Sequence, residues 1–136
     1  MNADVAQMNV PQERARLNQM SGTVIGAAQR VSSTLGYGFL EKVYENALAL
    51  ELRSRGIEVH QQLPLQVAYA GVVVGDYIPD LLIEDCLIVE IKATASIERV
   101  HRQQCLNYLR ASNLSLGLIL NFGHSHLEVG RVVFNF

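Results

Sequence analysis

Asp80, Glu90 and Lys92 stand in a stretch, residues 77–92, otherwise built largely from Leu, Ile and Val. Charge in such surroundings is costly unless it is paired or put to use. Two carboxylates and an ammonium brought together are what metal-assisted hydrolysis of a phosphodiester requires. The acids hold a hard cation, the cation polarises the phosphate and activates a water, and the ammonium steadies developing charge. The plainer alternative is a cross-strand salt bridge that closes a hairpin.

Whether the three can meet depends on the elements that carry them. The stretch reads as two short buried strands joined by a polar turn at Glu84-Asp85. Alternation along a strand puts Glu90 and Lys92 on one face and Ile91 on the other. A two-residue turn would pair Asp80 with Val89 and send its carboxylate the wrong way. A three-residue loop, Glu84 to Cys86, pairs Ile83 with Leu87 and Asp80 with Glu90, whose Cβ atoms then lie about 5 Å apart. The second register is the one expected.

The bulk properties frame this site without deciding it. The chain has 136 residues, 49% hydrophobic and 18% charged, which suits one soluble domain able to bury a core. The expected division is a loosely ordered lead-in over 1–16 and a single domain over 17–136. No run approaches the roughly 20 apolar residues of a membrane span, and the first residues lack the pattern of a secretion signal. A cytoplasmic location without membrane contact is therefore expected. Cys86 and Cys105 read as small core residues rather than a disulfide framework. The net charge is −2, yet removing Glu41, Asp80, Glu90 and Lys92 leaves 10 basic and 10 acidic residues. Charge thus neither supports nor excludes a nucleic-acid substrate. Nine of the eleven basic residues are Arg, which favours planar contacts to phosphate.

Along the chain, apolar spacing predicts a helix from about Gln12 to Leu35, broken at Gly36-Tyr37-Gly38. A second helix is expected from Phe39 to Arg55, closed by Gly56. Glu41 and Glu45 share one of its faces. Glu45 is read as a solvated acid, and Glu41, at the positive end of the helix, as the one reaching inward to a metal. Glu58 to Tyr69 reads as a strand with an edge or bulge at Pro64, and Val72 to Ile78 leads into the central pair. A third helix, about Ile97 to Leu109 with Ser96 as its cap, carries Gln104 and Tyr108 on one face. Strands are expected at Leu116–Phe122 and Leu127–Phe136. His60 reads as a strand surface residue and His124-Ser125-His126 as a hydrophilic loop. This order gives an α/β fold with a mixed β-sheet flanked by α-helices.

Gly38-Phe39-Leu40-Glu41-Lys42-Val43-Tyr44 fits the pattern GxxExxY, and the chain resembles the small bacterial GxxExxY family of the PD-(D/E)XK nuclease superfamily. The resemblance runs from about Leu17 to Phe122. It includes Pro79-Asp80-Leu81-Leu82, Glu90-Ile91-Lys92, Asn121-Phe122-Gly123, and the His101, Gln104, Tyr108-Leu109 helix, which is similar to the QxxxY helix of RecB-like nucleases. It implies a restriction-endonuclease-like core. It also implies Asp80 and Glu90 as principal metal ligands, with Glu41 and the Ile91 carbonyl completing the shell. Lys92 would orient or activate the attacking water; Gln104 and Tyr108 would support the site or hold the nucleic-acid backbone, and His101 would share that rim. The family usually shows Val-His before its Leu-Gly, whereas here Val31 is followed by Ser32. The function expected is a Mg²⁺-dependent nuclease, with Mn²⁺ as substitute, acting on DNA rather than RNA and working as a homodimer. The rivals are a catalytically silent nucleic-acid-binding or protein-assembly module, and a stress or toxin-system accessory protein.

Overall fold

The computed structural model describes residues 9–136. Its first helix, α1, spans Val10–Leu35. It begins where Asn9 and Gln12 cap each other reciprocally and a proline occupies the first turn, a position where its missing N–H costs nothing. The helix expected from about Gln12 therefore starts two residues earlier, inside the segment 1–16 set apart as a lead-in; positions 1–8 lie outside the described residues. Helix α2 spans Glu41–Ser54 and ends at Arg55, just before Gly56 with φ 80°.

Strand β1 (Val59–Gln61) is short, and the chain then turns at Gln62, φ 56°, before Pro64. The single strand expected over 58–69 is thus two. β1 joins the main sheet, whereas β2 (Leu65–Tyr69) pairs with β3 (Val72–Tyr77) in a separate hairpin. The Gln62 N–H makes a last bond to the Asp80 carbonyl at 3.1 Å, and beyond it the positive φ at Gln62 and a proline without an N–H end the ladder. Strands β4 (Leu81–Ile83) and β5 (Leu87–Lys92) follow. Helix α3 (Arg99–Ser112) is capped by Glu98 and His101 rather than by Ser96. Strands β6 (Leu116–Asn121) and β7 (Glu128–Val133) complete the chain.

The main sheet has the order β1-β4-β5-β6-β7, with β5 and β6 parallel and every other neighbouring pair antiparallel. A parallel pair needs a crossover, and α3 supplies it. Alternation along the strands makes two apolar layers. Leu81, Ile83, Leu87, Val89 and Ile91 pack under α1 and α2, with Tyr44 and Leu48 among their neighbours. Leu82 and Ile88 pack against Leu109 of α3, beside Leu65 and Tyr77 of the hairpin. Both cysteines are free, Cys105 buried and Cys86 half-buried. This mixed sheet between helices is a restriction-endonuclease-like architecture.

The segment after β5 is pinned from beneath. Asn121, wholly buried, donates to the Thr94 carbonyl and to Glu128, and accepts from the Thr94 and Gly123 N–H groups. A Cβ at Gly123 would overlap the Thr94 backbone, with its nitrogen at 2.7 Å. Gly22, mid-helix, has nothing within 4 Å of such an atom. Gly123→Ala is therefore expected to destabilise the protein by about 1–3 kcal/mol. Gly22→Ala should stabilise it by about 0.5–1 kcal/mol. Chemical denaturation of both variants checks the pair of signs.

Candidate active site at the open end of β4 and β5

The β4–β5 turn has the expected three-residue length. Ile83 pairs with Leu87, Leu82 with Ile88 and Leu81 with Val89, so the register continues to Asp80 opposite Glu90. The Asp80 N–H donates to Glu90 Oε1 at 3.3 Å, and the Ile91 N–H donates to Asp80 Oδ2 at 2.7 Å. The two acids are tied to each other's strands, and their carboxylates converge.

Pro79 explains what is left open beside them. The same register places it opposite Ile91, where an antiparallel ladder would have it exchange two hydrogen bonds. Proline has no N–H to give, and the Ile91 N–H is already held by Asp80. Because the N–H and C=O of one strand residue point the same way, the Ile91 carbonyl faces the Asp80 side without a ladder donor.

Glu90 is only 7% exposed. Burial first, and the Asp80 charge second, push its carboxyl up to about 8, against an ordinary 4.5; the Asp80 N–H and Lys92 pull the other way without prevailing. Lys92 is half-buried and forms no ion pair among the described residues. Two converging carboxylates, one of them starved of positive charge, with a free backbone carbonyl beside them, form an all-oxygen donor set. That set fits a hard divalent cation.

The α3 face closes over this end of the sheet. Gln104 donates to the Tyr108 hydroxyl at 2.8 Å, and the Tyr108 ring stacks on Tyr77 at 3.5 Å between centroids. Burial, and then the Glu90 charge, raise the Tyr108 hydroxyl above its ordinary pKa. His101 is turned to its own helix end, accepting from the Glu98 N–H. Tyr77 was not anticipated from the sequence. Burial and then Glu90 hold its hydroxyl far above the tyrosine range, and that buried oxygen has no hydrogen-bond partner among the described residues.

The structure separates the two helix acids in the opposite sense to expectation. Glu41 is exposed, and it does not join Asp80 and Glu90 in a group of ligand atoms. Glu45, expected in solvent, is 3% exposed. It accepts from Lys42, Gln61 and Gln62, at 3.1, 2.8 and 2.9 Å, and Gln62 also reaches Asp80 Oδ1 at 3.3 Å. Glu45 faces the sheet with Tyr44, Leu48 and Leu52, the buried side of α2, where Gln61 and Gln62 at the end of β1 meet its carboxylate. The i,i+4 spacing of 41 and 45 signalled a shared face but not its direction. Nothing in the sequence signalled Gln62.

A different cluster, Glu58, His60 and Asp85, also gathers three ligand atoms within 4.8 Å of one another. It lies at the opposite, turn end of β4, roughly 10–15 Å from Asp80 at about 3.3 Å per residue. His124 and His126 are exposed and belong to no such group among the described residues. Ser32, where the resemblance expects histidine, is buried and lines a recess with His126.

The sequence model of the PD-(D/E)XK nuclease superfamily matches residues 18–132, nearly the whole chain. The chain belongs to that superfamily. No curated protein and no solved structure matches it. PD-(D/E)XK nucleases act on nucleic acid and use divalent metal ions. Among the described residues no helix is long and apolar enough to cross a membrane.

The raised pKa of Glu90 has a signed consequence. A carboxyl whose folded pKa lies above its unfolded one adds stability below about pH 4.5 and loses it as pH rises through about 8. With chelator present, Glu90→Gln should melt above the wild type at pH 8–9, and the difference should shrink steadily toward pH 5. A pH-independent difference contradicts the assignment.

Proposed function

We propose that the protein is a Mg²⁺-dependent nuclease of the GxxExxY type that hydrolyses phosphodiester bonds in DNA. One observation carries the reading: Asp80 and Glu90, from two strands, present their carboxylates to one point, with Lys92 following Glu90 on the same strand face. Asp80, Glu90 and the Ile91 carbonyl would hold the ion. Bound there, it would supply Lewis-acid polarisation of the scissile phosphate and a more acidic water.

The chain's own residues divide the remaining work. Lys92, in no ion pair among the described residues, orients the attacking water and offsets charge on the phosphate oxygens. Gln104 and Tyr108 present an amide and a hydroxyl at the rim, where they bond to the phosphate backbone of the substrate. The Tyr77–Tyr108 stack keeps that rim stiff and excludes water from the Glu90 side. Mg²⁺ suits an oxygen shell completed by several waters, and Mn²⁺ would substitute. DNA rather than RNA, and a homodimeric working form, are supported by the resemblance alone.

A second reading, a catalytically silent module, is favoured by a specific observation: among the described residues Asp80 and Glu90 converge without a third acid, and Glu41 stands apart. Purified protein incubated with DNA and Mg²⁺ or Mn²⁺ at low salt separates the two. The nuclease reading expects metal-dependent cleavage. It also expects Asp80→Asn and Lys92→Ala to lose on the order of 100-fold or more in rate with melting retained, and Glu41→Gln to cost far less. No cleavage of any DNA or RNA, together with no divalent binding by calorimetry, would leave the silent module.

A further inference from the structure

The loop between α1 and α2, Gly36 to Leu40, carries three large apolar side chains in four positions, all facing solvent. Tyr37 is 63% exposed, Phe39 49% and Leu40 81%. Gly36 and Gly38, with φ 73° and 111°, give the chain bends that other residues resist. The loop is nonetheless held firmly. The hydroxyl of wholly buried Tyr44 donates to the Gly36 carbonyl at 2.8 Å and accepts from the Phe39 N–H at 3.2 Å. One side chain thus fastens both limbs of the turn, and its exposed rings are presented at little entropic cost.

The loop is joined to the catalytic end of the sheet by direct contacts. Phe39 meets Tyr44 edge-on at 6.2 Å, Tyr44 stacks on Phe122 at 4.7 Å, and the Phe122 N–H donates to the Lys92 carbonyl at 2.8 Å. The residue after Tyr44 is Glu45, which reaches Asp80 through Gln62. Lys92 and Phe122 stand at the same end of β5 and β6 as Glu90, so the loop lies toward the Asp80–Glu90 end of the sheet, and a nucleic-acid strand held at the acids would round that end to reach it.

Charge decides which part of the strand the loop can meet. Residues 36–40 carry no cation, Glu41 follows at once, and the ammonium of Lys42 is already paired with Glu45. Such a surface repels phosphates and attracts flat apolar faces. A duplex shows its phosphates and groove edges, with the base faces stacked away. An unpaired strand can turn its bases outward onto aromatic rings.

We propose that the Tyr37–Phe39–Leu40 loop is a base-stacking platform that makes unpaired nucleic-acid strands the preferred substrate of the site at Asp80 and Glu90. This rests on the nuclease reading above and narrows it. The test measures anisotropy of the Asp80→Asn protein with Mg²⁺, using a fluorescent single-stranded oligonucleotide and its duplex, alongside cleavage of both by the active protein. Single strand should bind more tightly and be cut faster. Tyr37→Ala should weaken single-strand binding on the order of 10-fold, as a higher KM with little change in kcat. Tyr37→Phe, which keeps the ring, should restore binding. Leu40→Ala, clear of the Tyr44 contacts, is a second variant of the platform that leaves the fastening of the loop intact. Equal handling of duplex and single strand by an active enzyme, or an unchanged KM in both Tyr37→Ala and Leu40→Ala, overturns the platform alone. No binding and no cleavage of either form overturns the platform together with the nuclease reading.

Discussion

The organisation of this protein depends on a reciprocal tie between two strands. Asp80 gives its backbone N–H to Glu90 and takes the Ile91 N–H on its own carboxylate. The first contact brings two like charges together, which electrostatics opposes. The second fixes Asp80 at the point where β4 would otherwise continue, and Pro79 stops that continuation. The result is an acid pair at an open sheet end, beside a carbonyl that the ladder cannot satisfy. Each part needs the three-residue turn at 84–86, since a slip of one residue would send Asp80 to the other face.

The rest of the fold keeps this pair in a low-dielectric setting. Leucine, isoleucine and valine fill both faces of β4 and β5, and α3 with the β2–β3 hairpin covers the Glu90 side. That cover raises the Glu90 pKa by burial and, by burial first and the Glu90 charge second, those of Tyr77 and Tyr108. On the other face, Tyr44 and Phe122 join the exposed 36–40 loop to the Lys92 backbone. A buried tyrosine thus links the Asp80–Glu90 end of the sheet to the exposed 36–40 loop.

How much of this could be read in the sequence follows from the range of the interactions. The β4–β5 register was legible because alternation and turn length are local and only one loop length put both acids on one face. The helix acids were not. Glu41 and Glu45 occupy equivalent positions on a helical wheel, and the side turned inward is set by where β1 and Gln62 arrive, across more than fifteen residues. The strand expected over 58–69 failed on the positive φ at Gln62, which no glycine or asparagine announced. Tyr77 was hidden for a similar reason: its importance comes from stacking on Tyr108, 31 positions away. The N-terminal helix begins earlier than expected because Asn9 and Gln12 form a capping box, a local signal that the neighbouring Pro11 obscures.

Among the described residues, two places gather metal-ligand types, the Asp80–Glu90 pair and the Glu58–His60–Asp85 cluster at the far end of β4. Anomalous scattering from a crystal soaked in Mn²⁺ reports directly which one takes a cation. If the converging strand carboxylates are the metal site, a peak will stand between Asp80 and Glu90, within bonding reach of the Ile91 carbonyl. A soaked crystal with no peak there, or with manganese only at Glu58, His60 and Asp85, would contradict that assignment.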